Sequence, residues 1–264
     1  MPGGHPPRPR DPAGRPDRPA PGDRPPGSPR SDRARADRAR SDRARAEAAA
    51  AVYTPAVLKL YDAAVLGAVC SLVWRCPRRE MLSLYERNLS ARHLEVGPGT
   101  GYFLDRSPAP VPEPRLTLLD LNPQVLATAR RRLARYSPAV RCGNVLEPLE
   151  LDGGPFSSVA LNFVLHCLPC PATEKGAVFD HLLPHMAPGA RVFGSTVLAH
   201  GVHHTPLSRH HLRTLARHGV LHAGDDSLEL LRAALESRFD HCRIRTRGAV
   251  ALFEATGRPR RRRG

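Results

Sequence analysis

Residues His93-Leu94-Glu95-Val96-Gly97-Pro98-Gly99-Thr100-Gly101-Tyr102-Phe103-Leu104 decide how this chain is read. A strand-like apolar run ends on glycines at 97, 99 and 101, and a helix-forming stretch follows. Glycines at these positions let the backbone turn sharply and approach a ligand more closely than any side chain permits. The helix that follows aims its free N–H groups back at the loop. Such a loop is suited to a nucleotide-containing cofactor.

Two acids sharpen the reading. Asp120 closes the next apolar run, Arg115-Leu116-Thr117-Leu118-Leu119-Asp120. That places it about 20 residues beyond the glycines, where a Rossmann-like unit positions an acceptor for a ribose diol. Glu95 stands two residues before the first glycine, and a carboxylate there would be repelled by a pyrophosphate. It suits a cofactor with a cationic group nearby. S-adenosylmethionine carries an ammonium and a sulfonium and no phosphate, so the pair favours it over NAD.

From about Tyr53 to Thr256 the chain resembles the class I S-adenosylmethionine-dependent methyltransferases. Leu94 to Gly101 resembles their first motif, and Leu118-Leu119-Asp120-Leu121-Asn122-Pro123 the next. Gly143-Asn144-Val145-Leu146-Glu147-Pro148-Leu149 sits where the family reads adenine. Phe156 to Pro169 resembles the fourth strand with its active-site rim, and Met186 to Leu198 the fifth. The resemblance implies a cofactor site of Tyr53, Glu95, Gly97, Gly99, Thr100, Gly101, Asp120, Leu121, Asn144, Val145 and Asn162. Many members carry Asp where Asn144 stands; the amide oxygen can still accept from an exocyclic amine. The segment Val52 to Pro77 is similar to the helical cap that closes over the cofactor, which puts Tyr53 near its methionine end.

The chain's 264 residues suffice for one substantial core. Residues 1–50 read as a separate Arg/Pro-rich disordered tail with near-repeats at Ser31 and Ser41 and no apolar face to bury. Residues 51–257 form the expected methyltransferase domain, 51–90 as cap helices and 91–257 as core, and 258–264 are a basic tail. The formal charge is +15, but residues 1–48 hold 12 Arg against 7 acids and residues 258–263 add 5 Arg. Two thirds of the excess thus lies in the tails. Nucleic acid is not the expected partner on this distribution; a tail contact with a polyanion would be salt-sensitive. The apolar run 63–74 is shorter than the roughly 20 residues a bilayer span needs. A polar, proline-broken start is unlike a signal peptide, and six cysteines read as reduced thiols, so a cytoplasmic location is expected.

Periodicity predicts helices over 55–74 and 77–89 and then alternating elements. Strands are expected at 93–96, 116–120, near 140, at 159–164 and at 191–198, with helices from 101, over 123–136 and over 173–186. Such alternation implies parallel pairing with right-handed crossovers. Strands 241–247 and 249–254 are too close for anything but an antiparallel hairpin. The expected fold is therefore α/β: a Rossmann-like three-layer sandwich with a seven-stranded, mostly parallel sheet ending in an antiparallel hairpin, preceded by cap helices.

Methyl transfer is an in-line displacement, so alignment, exclusion of water and removal of any acceptor proton are what the protein contributes. His166, just past the fourth strand, is the titratable group there with a suitable pKa for a general base, or else a rim residue holding a loop. Seven histidines between 200 and 222 suggest one wall of an acceptor pocket rather than a metal site, because no carboxylate or cysteine lies among them. Cys167 and Cys170 form a C-x-x-C with no second pair at metal spacing. After the fourth strand stands Asn162-Phe163-Val164-Leu165, not the Asp/Asn-Pro-Pro-aromatic motif of enzymes that methylate planar amines. A small-molecule acceptor is the expectation. Two alternatives stay open, an RNA-directed methyltransferase and a non-catalytic cofactor- or partner-binding protein, and the oligomeric state is not legible.

Overall fold

The computed structural model describes residues 62–257, together with Ala44. The tails and the cap residues before 62, Tyr53 included, lie outside the described residues.

Seven strands form one sheet in the order β3-β2-β1-β4-β5-β7-β6. They are β1 (Arg92–Val96), β2 (Arg115–Asp120), β3 (Ala139–Cys142), β4 (Phe156–Asn162), β5 (Met186–Val197), β6 (His241–Arg247) and β7 (Val250–Thr256). The first five pair in parallel, and β7 is antiparallel to both β5 and β6. Helices on both faces complete the Rossmann-like sandwich that the alternation predicts. The hairpin turns on Gly248 and Ala249, with Gly248 at φ +56°. A Cβ there would stand 2.1 Å from the Trp74 carbonyl oxygen, so only glycine fits. The Ala249 N–H donates to that same oxygen at 2.9 Å, while the Trp74 ring lies 5.3 Å from His211.

One face of the sheet carries α1 (Asp62–Val73), α2 (Arg78–Asn88), α3 (Tyr102–Arg106) and α4 (Pro123–Arg132). Tyr85 of α2 is fully buried between Phe103 and Phe193, at ring distances of 5.6 and 5.1 Å. The opposite core gathers Phe156, Phe179, Phe239 and Phe253 beneath α5 (Ala177–Leu182) and α7 (Leu228–Glu236). Between β5 and α7 lies α6 (Pro206–Arg217).

Several boundaries differ from the sequence expectation for local reasons. The first helix, within its described part, is wound with wide π-type turns, the Trp74 N–H donating to the Val69 carbonyl. The helix from Pro123 stops at Arg132, and a short 3₁₀ turn covers 134–136. β4 ends at Asn162 rather than 164, because Phe163 turns the backbone at φ +56° and donates its N–H to the Ser195 carbonyl. The helix expected over 173–186 spans only Ala177–Leu182, and Pro184 then leads into a longer β5.

Candidate active site

The parallel order reverses between β1 and β4, and open α/β sheets bind ligands outside the carboxyl ends of their strands at such a point. A cavity of about 1140 Å³, its open mouth included, occupies that place. Its walls include Glu95, Gly97, Gly99, Thr100, Asp120, Leu121, Asn144, Val145 and Asn162. Gly101 is not among them: at φ +77° it opens α3 and packs on α4, where a Cβ would come within 3.3 Å of Ala129.

The glycine loop is shaped by what surrounds it. Gly97 has φ +64°, and a Cβ on it would meet the Val164 side chain at 2.6 Å. Gly99, at φ +55°, has no protein atom within 4 Å of its missing Cβ, so that space belongs to the cavity. Thr100 donates to Asp62 Oδ1 of α1 at 2.5 Å, and Arg132 of α4 closes the triangle at 2.7 Å to Asp62 and 2.8 Å to the Thr100 hydroxyl. With Leu66 of the same helix on the cavity wall, α1 is clamped directly over the loop.

Glu95 is more heavily engaged than a side chain reserved for a ligand. Residues 93 and 95 share one face of β1 by strand alternation. The Tyr85 hydroxyl donates to Glu95 Oε1 at 2.5 Å, and His93 Nε2 stands 3.0 Å from Oε2. His93 Nδ1 continues to Ser158 Oγ at 2.8 Å. Burial, and then the adjacent carboxylate, push the Tyr85 phenol well above its ordinary pKa, so it stays a donor. His93, Tyr85 and Ser158 were not foreseen; their contacts join three elements and leave no trace in local spacing.

Asp120 accepts the Asn122 N–H at 2.8 Å, and burial raises its pKa to about 6 against the pull of the Asn122 and Leu121 amides. Asn162 accepts from the Ser195 hydroxyl at 2.7 Å, while its buried Nδ2 has no protein acceptor. The Asn162 amide, the Asp120 carboxylate and a loop stripped of Cβ atoms together fit a ligand with a ribose and an amino-acid end.

Two of the expected site residues are engaged within the protein itself. Asn144 lines the cavity, but its side chain closes its own turn, Oδ1 accepting from the Leu146 N–H and Nδ2 donating to Glu147, both at 3.0 Å. One lone pair of the carbonyl expected to read adenine is thus committed to its own turn, and the other stays open to an exocyclic amine. His166 is absent from the cavity wall and fully enclosed. Its Nδ1 accepts the Val197 N–H at 3.1 Å, so the imidazole's one basic lone pair is taken. Burial, with Lys175 adding repulsion, lowers its pKa to about 3. The geometry fits the rim reading of His166, not that of a base.

The cavity wall also carries apolar side chains, among them Leu66, Phe103, Phe163, Val164, Leu168 and Val220. The histidines of 200–222 are dispersed: His204 meets the Leu198 carbonyl, His200 that of Gly224, and His211 the Trp74 ring. Among the described residues no cluster of three or more metal-ligating side chains occurs. None of the described helices is long and apolar enough to cross a membrane.

The comparisons with known proteins agree with this geometry. Residues 94–192 match the family model described as a methyltransferase domain. The chain is 38% identical over 205 residues to demethylluteothin O-methyltransferase of Streptomyces thioluteus, covering 78% of this chain and 89% of that one. It is 36% identical to the physcion biosynthesis cluster O-methyltransferase of Aspergillus chevalieri, over 78% of this chain and 93% of that one. Among solved structures, the DhpI complex with S-adenosylhomocysteine superposes with a TM-score of 0.55 at 19% identity, over 82% of this chain and 98% of that one. The N-methyltransferase NodS from Bradyrhizobium japonicum WM9 superposes at 0.52, also at 19% identity, over 76% and 96%; these likenesses concern the fold. This chain belongs to the S-adenosylmethionine-dependent methyltransferases. It is an enzyme that transfers a methyl group from S-adenosylmethionine to a small molecule.

Proposed function

We propose that the methyl group goes to a hydroxyl oxygen of a small, largely apolar natural product. The observation that carries this is the cavity's mixed lining: polar groups at Asp120 and Asn162 beside the glycine loop, which we read as the cofactor half, and the side chains of Phe103, Phe163, Val164, Leu168 and Val220, which we read as the apolar half. A flat acceptor with one reacting oxygen suits the apolar half, and the O-methyltransferase names of the two relatives favour oxygen over nitrogen. A macromolecular acceptor such as RNA would need a basic approach that this half does not offer. A cytoplasmic setting is consistent with the six free cysteines.

Bound in the polar half, the cofactor supplies an electrophilic methyl carbon on a positively charged sulfur. Asp120 holds a ribose diol, Asn162 Nδ2 donates to the amino-acid end, and Glu95 sets a negative field at the inner wall. Gly99 leaves room for the cofactor beside the loop, whose Gly97 N–H is used by the Leu119 carbonyl, and Leu121 and Val145 bracket the adenine. Tyr53, outside the described residues, belongs in this reading to the methionine end. With cofactor and acceptor both bound, these residues would align the acceptor oxygen with the methyl carbon for in-line transfer, the carbon–sulfur electron pair passing to sulfur and the oxygen's proton to solvent at the cavity mouth. The protein's own share is alignment and the exclusion of water by α1. His166 acts in this scheme by holding the Val197 amide behind the wall.

The test is incubation with S-adenosylmethionine and demethylluteothin, the acceptor named for the Streptomyces relative, beside a panel of phenols, enols and amines. Methyl ethers as the products would support oxygen transfer; methylated amines with no ether would overturn it.

A further inference from the structure

We propose that Lys175 and Asp226, which lie behind the cavity and not on its wall, are positioning residues that hold the acceptor half in register. The proposal rests on the reading of that half as the acceptor site. Two segments meet in its wall: 163–169, which follows β4 and supplies Phe163, Val164 and Leu168, and the loop between α6 and α7, which supplies Val220. Nothing in the sheet's hydrogen bonding joins them, since both lie beyond the strand ends.

Lys175 and Asp226 make that junction. Their side chains are only 7% and 5% exposed. The ammonium meets both carboxylate oxygens of Asp226 at 2.7 Å and donates to the His222 carbonyl at 2.8 Å. Two of its protons are thereby donated, to Asp226 Oδ2 and the His222 carbonyl, while Oδ1 is held by charge alone. Around this centre the Ala172 N–H donates to Asp225 at 3.0 Å, the His222 N–H to the His166 carbonyl at 2.7 Å, and the Asp226 carbonyl accepts from Ala199 and His200. The His222–His166 bond joins the two wall segments directly, Ala172 and Lys175 anchor the loop just beyond 163–169, and the Asp226 carbonyl ties it to residues 199 and 200 after β5.

Burying an ion pair brings little stability over an apolar pair of similar volume, because desolvation offsets the attraction, whereas breaking one partner is costly. What such a pair does supply is a single arrangement. An apolar plug would let the α6–α7 loop slide along 163–172; a carboxylate gripped by an ammonium that also holds a carbonyl does not. Val220 and Leu168, on opposite sides of this junction, therefore keep one separation, and that separation sets which acceptor fits.

Hydrogen–deuterium exchange on the full chain saturated with S-adenosylhomocysteine, with binding followed by calorimetry, tests this in Lys175→Met and in Lys175→Met/Asp226→Leu. The expected result in the double variant is recovered thermal stability, cofactor-product affinity within about twofold of wild type, and exchange over 163–172 and 219–227 still at least tenfold faster than wild type, with β1 and β2 unchanged. Recovery of both stability and loop protection would overturn the proposal, since packing alone would then suffice. Lys175→Met should show the same local loss; if it does not fold, the double variant decides. Absence of S-adenosylhomocysteine binding by the wild-type chain would sink the cofactor reading instead, and is seen in the same calorimetry.

Discussion

The Tyr85 hydroxyl lies 2.5 Å from Glu95 Oε1, and His93 holds the other oxygen, so the carboxylate at the inner wall of the cofactor site is held from both sides. Tyr85→Phe removes one donor to a buried carboxylate while leaving the ring's packing on Phe103 and Phe193 in place. An unmade bond of this kind costs about 1–3 kcal/mol. Urea denaturation should show a loss in that range, and calorimetry should show S-adenosylmethionine affinity weakened roughly tenfold; unchanged values for both would remove the pair from the site.

Asp62 ties the cap helix to the glycine loop through Thr100 and Arg132. Partly exposed ion pairs are worth about 0.2–1 kcal/mol, and salt screens them. Asp62→Asn should therefore speed S-adenosylhomocysteine dissociation several-fold in stopped-flow measurements. High salt should narrow the difference between variant and wild type. A dissociation rate indifferent to both changes would mean that α1 does not gate exit.

Burial sets the pH response of Asp120, whose folded pKa is raised from 3.8 to about 6. Donation by ribose hydroxyls requires the carboxylate, so S-adenosylmethionine affinity should weaken as pH falls below about 6. Stability moves the other way. A carboxyl whose folded pKa exceeds its unfolded one contributes stability below the unfolded value and loses it as pH rises through the folded value. Asp120→Asn should thus raise the melting temperature of the ligand-free protein at pH 8, by on the order of 1 kcal/mol of stability, while abolishing the pH dependence of cofactor binding.

Gly97 and Gly99 should part company on substitution. Gly97→Ala drives a methyl into Val164 at 2.6 Å and should unfold or severely destabilise the chain. Gly99→Ala meets no protein atom, costing only the roughly 1–2 kcal/mol of a left-handed backbone, yet it fills cavity space. Circular dichroism should find Gly99→Ala folded, and calorimetry should find it unable to bind S-adenosylmethionine.

Legibility in the sequence followed the reach of each interaction. The β1–glycine–α3 passage, Asp120 at the end of β2 and the terminal hairpin were readable because strand alternation, positive-φ glycine and short loop length are local signals. The end of β4 was not, since apolar residues continue through Phe163 and Val164 while the backbone turns at Phe163. Pro184 marks where a helix had been extended too far. Asn144 and His166 were recognisable as polar residues in the right segments, but what each bonds to depends on Glu147 and on the Val197 amide. Tyr85 is ten residues from Glu95 on a different element, and Lys175 is fifty-one from Asp226. Contacts of that separation exist only once the sheet has assembled.

The chain has one tryptophan, and Trp74 sits where the end of the cap helix, α6 and the β6–β7 turn converge. Its indole is thus an intrinsic optical probe: with neither label nor mutation, emission intensity tracks the distance to His211 and reports on how α6 seats against the end of the cap helix during a single turnover.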